Sequence, residues 1–183
     1  MTKHDKGVPM ILMSYDGSAD AQAAIDRLAH VMPGANVTVL TVWEPFMQTM
    51  ARTSMGWGLT GGYATADAGN MDEGIRQAAL ETATDGTQRA TSAGLVAKPW
   101  IEQRDGDVAT AILGVAEDID ADVIVIGTRG RGGTKAFLLG SVSRAVVEHA
   151  DRAVLVVPSP ELAERRRDQV HHHAAHAMPG AAA

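Results

Sequence analysis

The stretch from Ala121 to Ser143 constrains this chain most. Ala121-Asp122-Val123-Ile124-Val125-Ile126 is an apolar, β-branched run that ends in Gly127. A basic, glycine-rich loop follows, Thr128-Arg129-Gly130-Arg131-Gly132-Gly133, and Leu139-Gly140-Ser141-Val142-Ser143 then opens a helical pattern. Uncharged Val and Ile in sequence suit a strand buried on both faces of a parallel sheet. Gly127 and Gly130 let backbone N–H groups approach a ligand, because no Cβ intervenes. A helix that starts at Gly140-Ser141 presents free amides and a positive dipole end, which attract anions. Ser141 or Ser143 is placed to cap that helix or to give a hydroxyl to a phosphate. Arg129, Arg131 and Lys135 make the loop cationic.

Two common phosphate loops are excluded. A Walker loop requires lysine and then serine or threonine directly after its last glycine, whereas Gly132-Gly133-Thr134-Lys135 has that order reversed. The dinucleotide pattern G-x-G-x-x-G is absent from this loop. The spacing present is glycine, two residues, glycine, nine residues, glycine-serine.

The rest of the chain alternates strand and helix. Val8 to Tyr15 reads as a strand ending in Asp16-Gly17-Ser18, with Ser18 as N-cap of a helix over Ala19 to Met32. Asn36 to Trp43 is a second strand, rich in Val and Thr. From Glu44 to Asn70 the periodicity dissolves among Gly, Met, Thr and isolated aromatics. A loop of that length is a mobile insertion or a functional lid or partner surface. Met71 to Ala93 reads as an amphipathic helix with Ile75, Ala78, Ala79, Thr82 and Ala83 on its inner side. Leu95 to Gln103 is a third strand, and Asp105-Gly106-Asp107 turns into a helix through Ala109, Ile112, Leu113 and Ala116. After the central stretch, Ser141 to His149 is the last helix of the unit and Arg152 to Pro158 the fifth strand. Beyond Ser159, a short charged helix over Glu161 to Gln169 leads into a His- and Ala-rich tail expected to be disordered.

This order predicts an α/β fold, a Rossmann-like open parallel sheet with helices on both faces. Ligands of such sheets sit outside the carboxyl ends of the strands, where strand order reverses. Tyr15, Asp16, Val42, Ile126 and Gly127 fall on that rim. Asp16 is placed to accept a ribose hydroxyl. Val42 offers main-chain groups to an adenine edge, and Ile126 packs on base or sugar. Gly127, Gly130, Gly140, Ser141, Val142 and Ser143 would wrap the phosphates, and Arg129 and Arg131 would add charge.

Taken together, the glycine loop, Ser14-Tyr15-Asp16-Gly17-Ser18, Gly106-Asp107 and Val154-Leu155-Val156-Val157-Pro158 resemble the universal stress protein family, in its ATP-binding subgroup. The resemblance runs from Val8 to Pro158, except for the 44–70 stretch. Any Mg²⁺ is expected to ride on the phosphates through water. The resemblance itself implies five strands in the order 3-2-1-4-5 and ATP as ligand. It also implies a homodimer formed by the last strands, Ala153 to Val157. On this reading 1–158 is the nucleotide-binding domain and 159–183 an appendage.

Composition narrows the function classes. A net charge of −6 argues against a general nucleic-acid binder. The absence of cysteine excludes disulfides and thiolate metal sites. No apolar run approaches the ~20 residues of a membrane helix, so a cytoplasmic protein with no membrane partner is expected. No nucleotidyl-transfer signature or nucleophile elbow appears, which favours a regulatory ATP-binding protein over an enzyme. The alternatives are a slow ATPase or phosphoryl- or adenylyl-transfer enzyme, with Asp16, Asp105 and Asp107 orienting metal or water, and a sensor of AMP or cyclic AMP. The 44–70 loop is the expected surface for any protein partner.

Overall fold

The computed structural model describes residues 8–53, 68–130 and 139–176. Five parallel strands form one sheet: β1 (Met10–Ser14), β2 (Asn36–Trp43), β3 (Val96–Gln103), β4 (Val123–Gly127) and β5 (Ala153–Val157), in the order β3-β2-β1-β4-β5. Between them run α1 (Ala19–Val31), α2 (Phe46–Thr53), α3 (Ala68–Ser92), α4 (Val108–Asp118) and α5 (Ser141–His149), and α6 (Pro160–His176) follows β5. The predicted fold and strand order are therefore those observed.

Strand alternation divides the core into two layers. Ile11 and Met13 of β1, with Tyr15 just past its end, join Val37, Val39 and Val125 beneath α1 and α3. On the other face Leu12, Leu40, Ile124 and Ile126 pack under α4 and α5 against Ile112, Val115 and Val146. Helix α3 meets the first face with small residues. Its inner stripe is Ala79, Ala83, Gly86 and Ala90, so Ala78, expected inside, is exposed. Gly86 has a local reason: a Cβ there would stand 2.7 Å from the Tyr15 ring. The bare backbone lets α3 close over that ring at the roughly 1 kcal/mol cost of glycine within a helix.

Two regions differ from expectation. Within 44–70, residues 46–53 form α2, whose first amide, that of Phe46, donates to the Asp72 carboxylate of α3 at 2.7 Å. The cap of this short helix thus comes from a residue 26 positions along the chain. After Val157, the helix does not stop near Gln169 but continues as α6 to His176. Ser159 is buried and sets its start: the Leu162 amide donates to Ser159 Oγ, and Leu162 itself is buried. The predicted cationic residues Arg131 and Lys135 and the aromatics Trp57 and Tyr63 lie outside the described residues.

Candidate functional site

A cavity of about 420 Å³ opens at the carboxyl ends of β1 and β4, where the chain's crossovers diverge to the two sides of the sheet. Asp16 and Ser14 line its β1 side, and Ile126, Gly127, Arg129 and Gly130 its β4 side. Gly140, Ser141, Val142 and Ser143 close it from the start of α5, with Val108 of α4 adding an apolar wall. Every predicted site residue except Tyr15 and Val42 therefore meets in one place.

Tyr15 is excluded by strand parity. Its ring shares a face with Ile11 and Met13 and is 1% exposed within the α1/α3 layer. Its hydroxyl donates to Asp85 Oδ2 at 2.7 Å. Burial, reinforced by that carboxylate acceptor, pushes the phenol up to about 12. Val42 is half-buried and packs beside the α4/α5 layer, on the same face as Leu40 but two residues further along. It does not line the cavity.

Helix α5 starts bare. Gly140 is its N-cap, and among the described residues no side chain caps it, so neither Ser141 nor Ser143 takes the expected capping role. The first amides of any α-helix lack intrahelical partners. Here Arg144 makes the first helical bond, to the Gly140 carbonyl. Ser141 stays exposed on the cavity wall. Ser143 is 2% exposed, and its hydroxyl is shared between the Thr128 carbonyl at 2.8 Å and the Gly140 carbonyl at 3.1 Å. Its proton holds the loop rather than a phosphate.

Two residues that sequence reasoning passed over organise this loop. Thr128 is fully buried. Its amide and its Oγ1 both donate to the Val157 carbonyl, at 2.9 and 3.0 Å, while its own carbonyl accepts from the Gly140 amide at 2.9 Å and from Ser143. It ties the end of β4 to the end of β5 and to the start of α5. Asp20, in the first turn of α1, is 6% exposed. Its Oδ2 accepts from the Arg129 amide at 3.1 Å and stands 3.8 Å from Arg129 Nε. The charge of Arg129, expected to be free for phosphate, is therefore partly balanced from α1. An acidic residue at the start of a helix is legible as a dipole partner, but not the loop it reaches, 109 residues away.

The glycines act partly on the protein itself. A Cβ at Gly127 would lie 2.8 Å from Asp20 Cβ and 2.9 Å from the Asp20 carbonyl carbon, so this glycine is needed for α1 to rest on β4. At Gly130 a Cβ would lie 2.6 Å from Asp16 Oδ2. Asp16 is held by accepting the Ser18 amide on Oδ1 at 3.0 Å, and Ser18 Oγ accepts the Ala21 amide as predicted. Asp107, considered above for metal or water, is the N-cap of α4 and accepts the Thr110 amide at 2.8 Å. That amide bond holds its carboxyl below the usual carboxylate range.

Comparison with known proteins supplies the family. The profile of the universal stress protein family matches residues 9–158. The chain belongs to the universal stress protein family. A Staphylococcus saprophyticus protein named as a universal stress protein is 29% identical over 162 residues, spanning 87% of this chain and 89% of that one. Among solved structures, an Archaeoglobus fulgidus universal stress protein in complex with dAMP has a TM-score of 0.51 and 21% identity, covering 82% of this chain and 97% of its own. An Arabidopsis thaliana family member with AMP bound has a TM-score of 0.54 and 16% identity, over 82% and 91%. At these identities the two structures bear on the fold. The family match ends at Pro158, directly before the buried Ser159 that begins α6.

Proposed function

We propose that this chain is an ATP-binding regulatory protein that holds the nucleotide in the β1/β4 cavity. The observation that carries the reading is the uncapped start of α5, with Gly140 to Ser143 opening into the same 420 Å³ space as Asp16 and Gly130. Oriented amides at a helix start suit a polyanion, and the volume lies within the ~300–1,000 Å³ of small-molecule sites. Asp16 serves the ribose hydroxyls, and Ile126 and Val108 serve the apolar face of base or sugar. The base extends along the rim toward Val42. That two family members of the same fold carry AMP and dAMP supports an adenine nucleotide as the ligand class.

Mg²⁺ would ride on the phosphates, since among the described residues no group of three His, Asp or Glu side chains could hold it alone. With Asp107 committed to capping α4, binding rather than turnover is the role this geometry supports, in a cytoplasmic setting. Among the described residues no helix is long and apolar enough to cross a membrane. The homodimer belongs to the same proposal. The two sheet edges differ: β3 is blunted by Lys98 and Pro99, whereas β5 is Ala-Val-Leu-Val-Val without a charge or proline. Pairing of β5 with its copy would cover that edge.

Calorimetric titration with ATP, AMP and cyclic AMP tests the ligand. Saturable ATP binding, weakened when the triphosphate is shortened, is expected, whereas no heat with any adenine nucleotide would remove the reading. Single-turnover incubation with Mg²⁺ and labelled ATP tests the regulatory assignment, and hydrolysis above buffer controls would replace it with the ATPase alternative.

A further inference from the structure

A second concavity shares no described lining residue with the nucleotide cavity. It is a groove of about 620 Å³ between α1 and α6, floored by Val157, Pro158 and Pro160. The α1 wall is Ala23, Asp26, Arg27 and His30, positions that repeat on one helical face. The α6 wall is Ala163 and Arg167, again on one face.

The charge of this groove is opposite to that of the whole chain, which carries −6. Arg27 and Arg167 stand on opposite walls, and among the described residues neither forms an ion pair. Asp26 is the one carboxylate among the described lining residues. It is already occupied by Arg89 of α3, which lies outside the groove and donates through Nε at 3.2 Å and through its second nitrogen at 2.6 Å. A cation from α3 thus cancels the negative group, and the lining keeps two guanidinium groups above an apolar floor.

We infer that this groove docks an acidic peptide segment of a partner protein, with carboxylates meeting Arg27 and Arg167 and an aliphatic side chain seated on Val157 and the two prolines. A small inorganic anion would leave the apolar floor unused. A nucleic acid would require a longer basic track than two arginines across one groove. Arginine suits the role because its planar fork meets a carboxylate through two hydrogen bonds.

Fluorescence anisotropy with a short labelled peptide alternating glutamate and leucine, and with its lysine–leucine counterpart, tests this on the full chain. Saturable binding of the acidic peptide is expected, weakening as salt rises. The Arg27→Glu/Arg167→Glu double variant should weaken it by roughly tenfold or more, since two attractive charge contacts become repulsive at once. Arg89→Met leaves the groove lining intact but frees the Asp26 charge, and should weaken binding severalfold with an unchanged circular dichroism spectrum. Gly140→Ala and saturating ATP should leave peptide affinity unchanged, so failure at the nucleotide site and failure here are separable. The inference is overturned by absence of saturable binding, by equal affinity for the lysine peptide, or by insensitivity to the double charge reversal. It is equally overturned if a single-stranded oligonucleotide binds more tightly than the peptide. Finally, sedimentation showing a dimer that dissociates on charge reversal, with no peptide bound, would assign the groove to a second copy of this chain.

Discussion

Gly140→Ala probes the start of α5 with the least collateral damage. The backbone at Gly140 has φ −61°, which alanine adopts without strain. The added Cβ would stand 3.3 Å from the Thr128 carbonyl oxygen, 3.6 Å from Arg129 Cα and 3.7 Å from Ser143 Oγ. Only the first contact is tight, and it is relieved by a shift of a few tenths of an ångström. Alanine is a poorer N-cap than glycine by about 0.5–1 kcal/mol, so the variant folds and melts a few degrees lower, at ~2–4 °C per kcal/mol for a chain of this size. The relieving shift moves the amides of Ser141 to Ser143 away from their bound geometry. A hydrogen bond to a charged acceptor is worth about 1.5–3 kcal/mol. Losing most of one would weaken ATP by ~10-fold or more at 1.4 kcal/mol per decade. AMP, with a single phosphate, engages fewer of these amides and should change by less than ~3-fold on the same scale. Isothermal titration of both nucleotides against both proteins reads the difference. Equal losses for ATP and AMP, with the fold intact, would refute a polyphosphate cradle at α5.

Three further outcomes are expected. Gly127→Ala forces a Cβ into the α1 backbone at Asp20. Overpacking of this kind costs about 1–3 kcal/mol, so denaturant midpoints should fall even without nucleotide; an unchanged midpoint would show that α1 does not rest on β4 as described. Thr128→Val removes the hydroxyl that donates to the Val157 carbonyl while keeping the shape. It should weaken ATP binding by displacing α5 and should be rescued by Thr128→Ser, whereas equal loss in both variants would point to packing instead. Tyr15 holds its proton more tightly folded, about 12 against an ordinary 10. The stability it contributes is therefore complete below pH 10 and lost as pH rises from 10 to 12, by ~2–3 kcal/mol at about 1.4 kcal/mol per unit. Wild type minus Tyr15→Phe, measured by urea unfolding across that window, should show the decline, and a flat difference would contradict it.

The sheet was legible in the sequence because its physics is local. Runs such as Val123 to Ile126 are long enough and apolar enough to demand burial on both faces, and the turn residues between them mark each boundary. The strand–helix order puts Asp16 and the glycine loop on one rim, and Asp16, Gly130 and Gly140 do meet in one cavity there. What escaped depends on contacts distant in sequence. Tyr15 adjoins Asp16 in the chain but, by strand alternation, faces the opposite layer, where Gly86 of α3 makes room for its ring. Helix α2, at 8 residues, is too short to hold on its own, and its cap comes from Asp72. Thr128 and Asp20 look unremarkable in sequence, because their partners Val157 and Arg129 become neighbours only once the sheet has closed.

Amide chemical shifts of the ¹⁵N-labelled chain during titration with ATP test the central claim most directly. The account predicts that Gly130, Ser141, Val142 and Ser143 shift most and saturate together, while Arg27 and Ala163 on the far groove stay still. Saturable ATP binding that leaves the amides of Ser141 to Ser143 unmoved would contradict it.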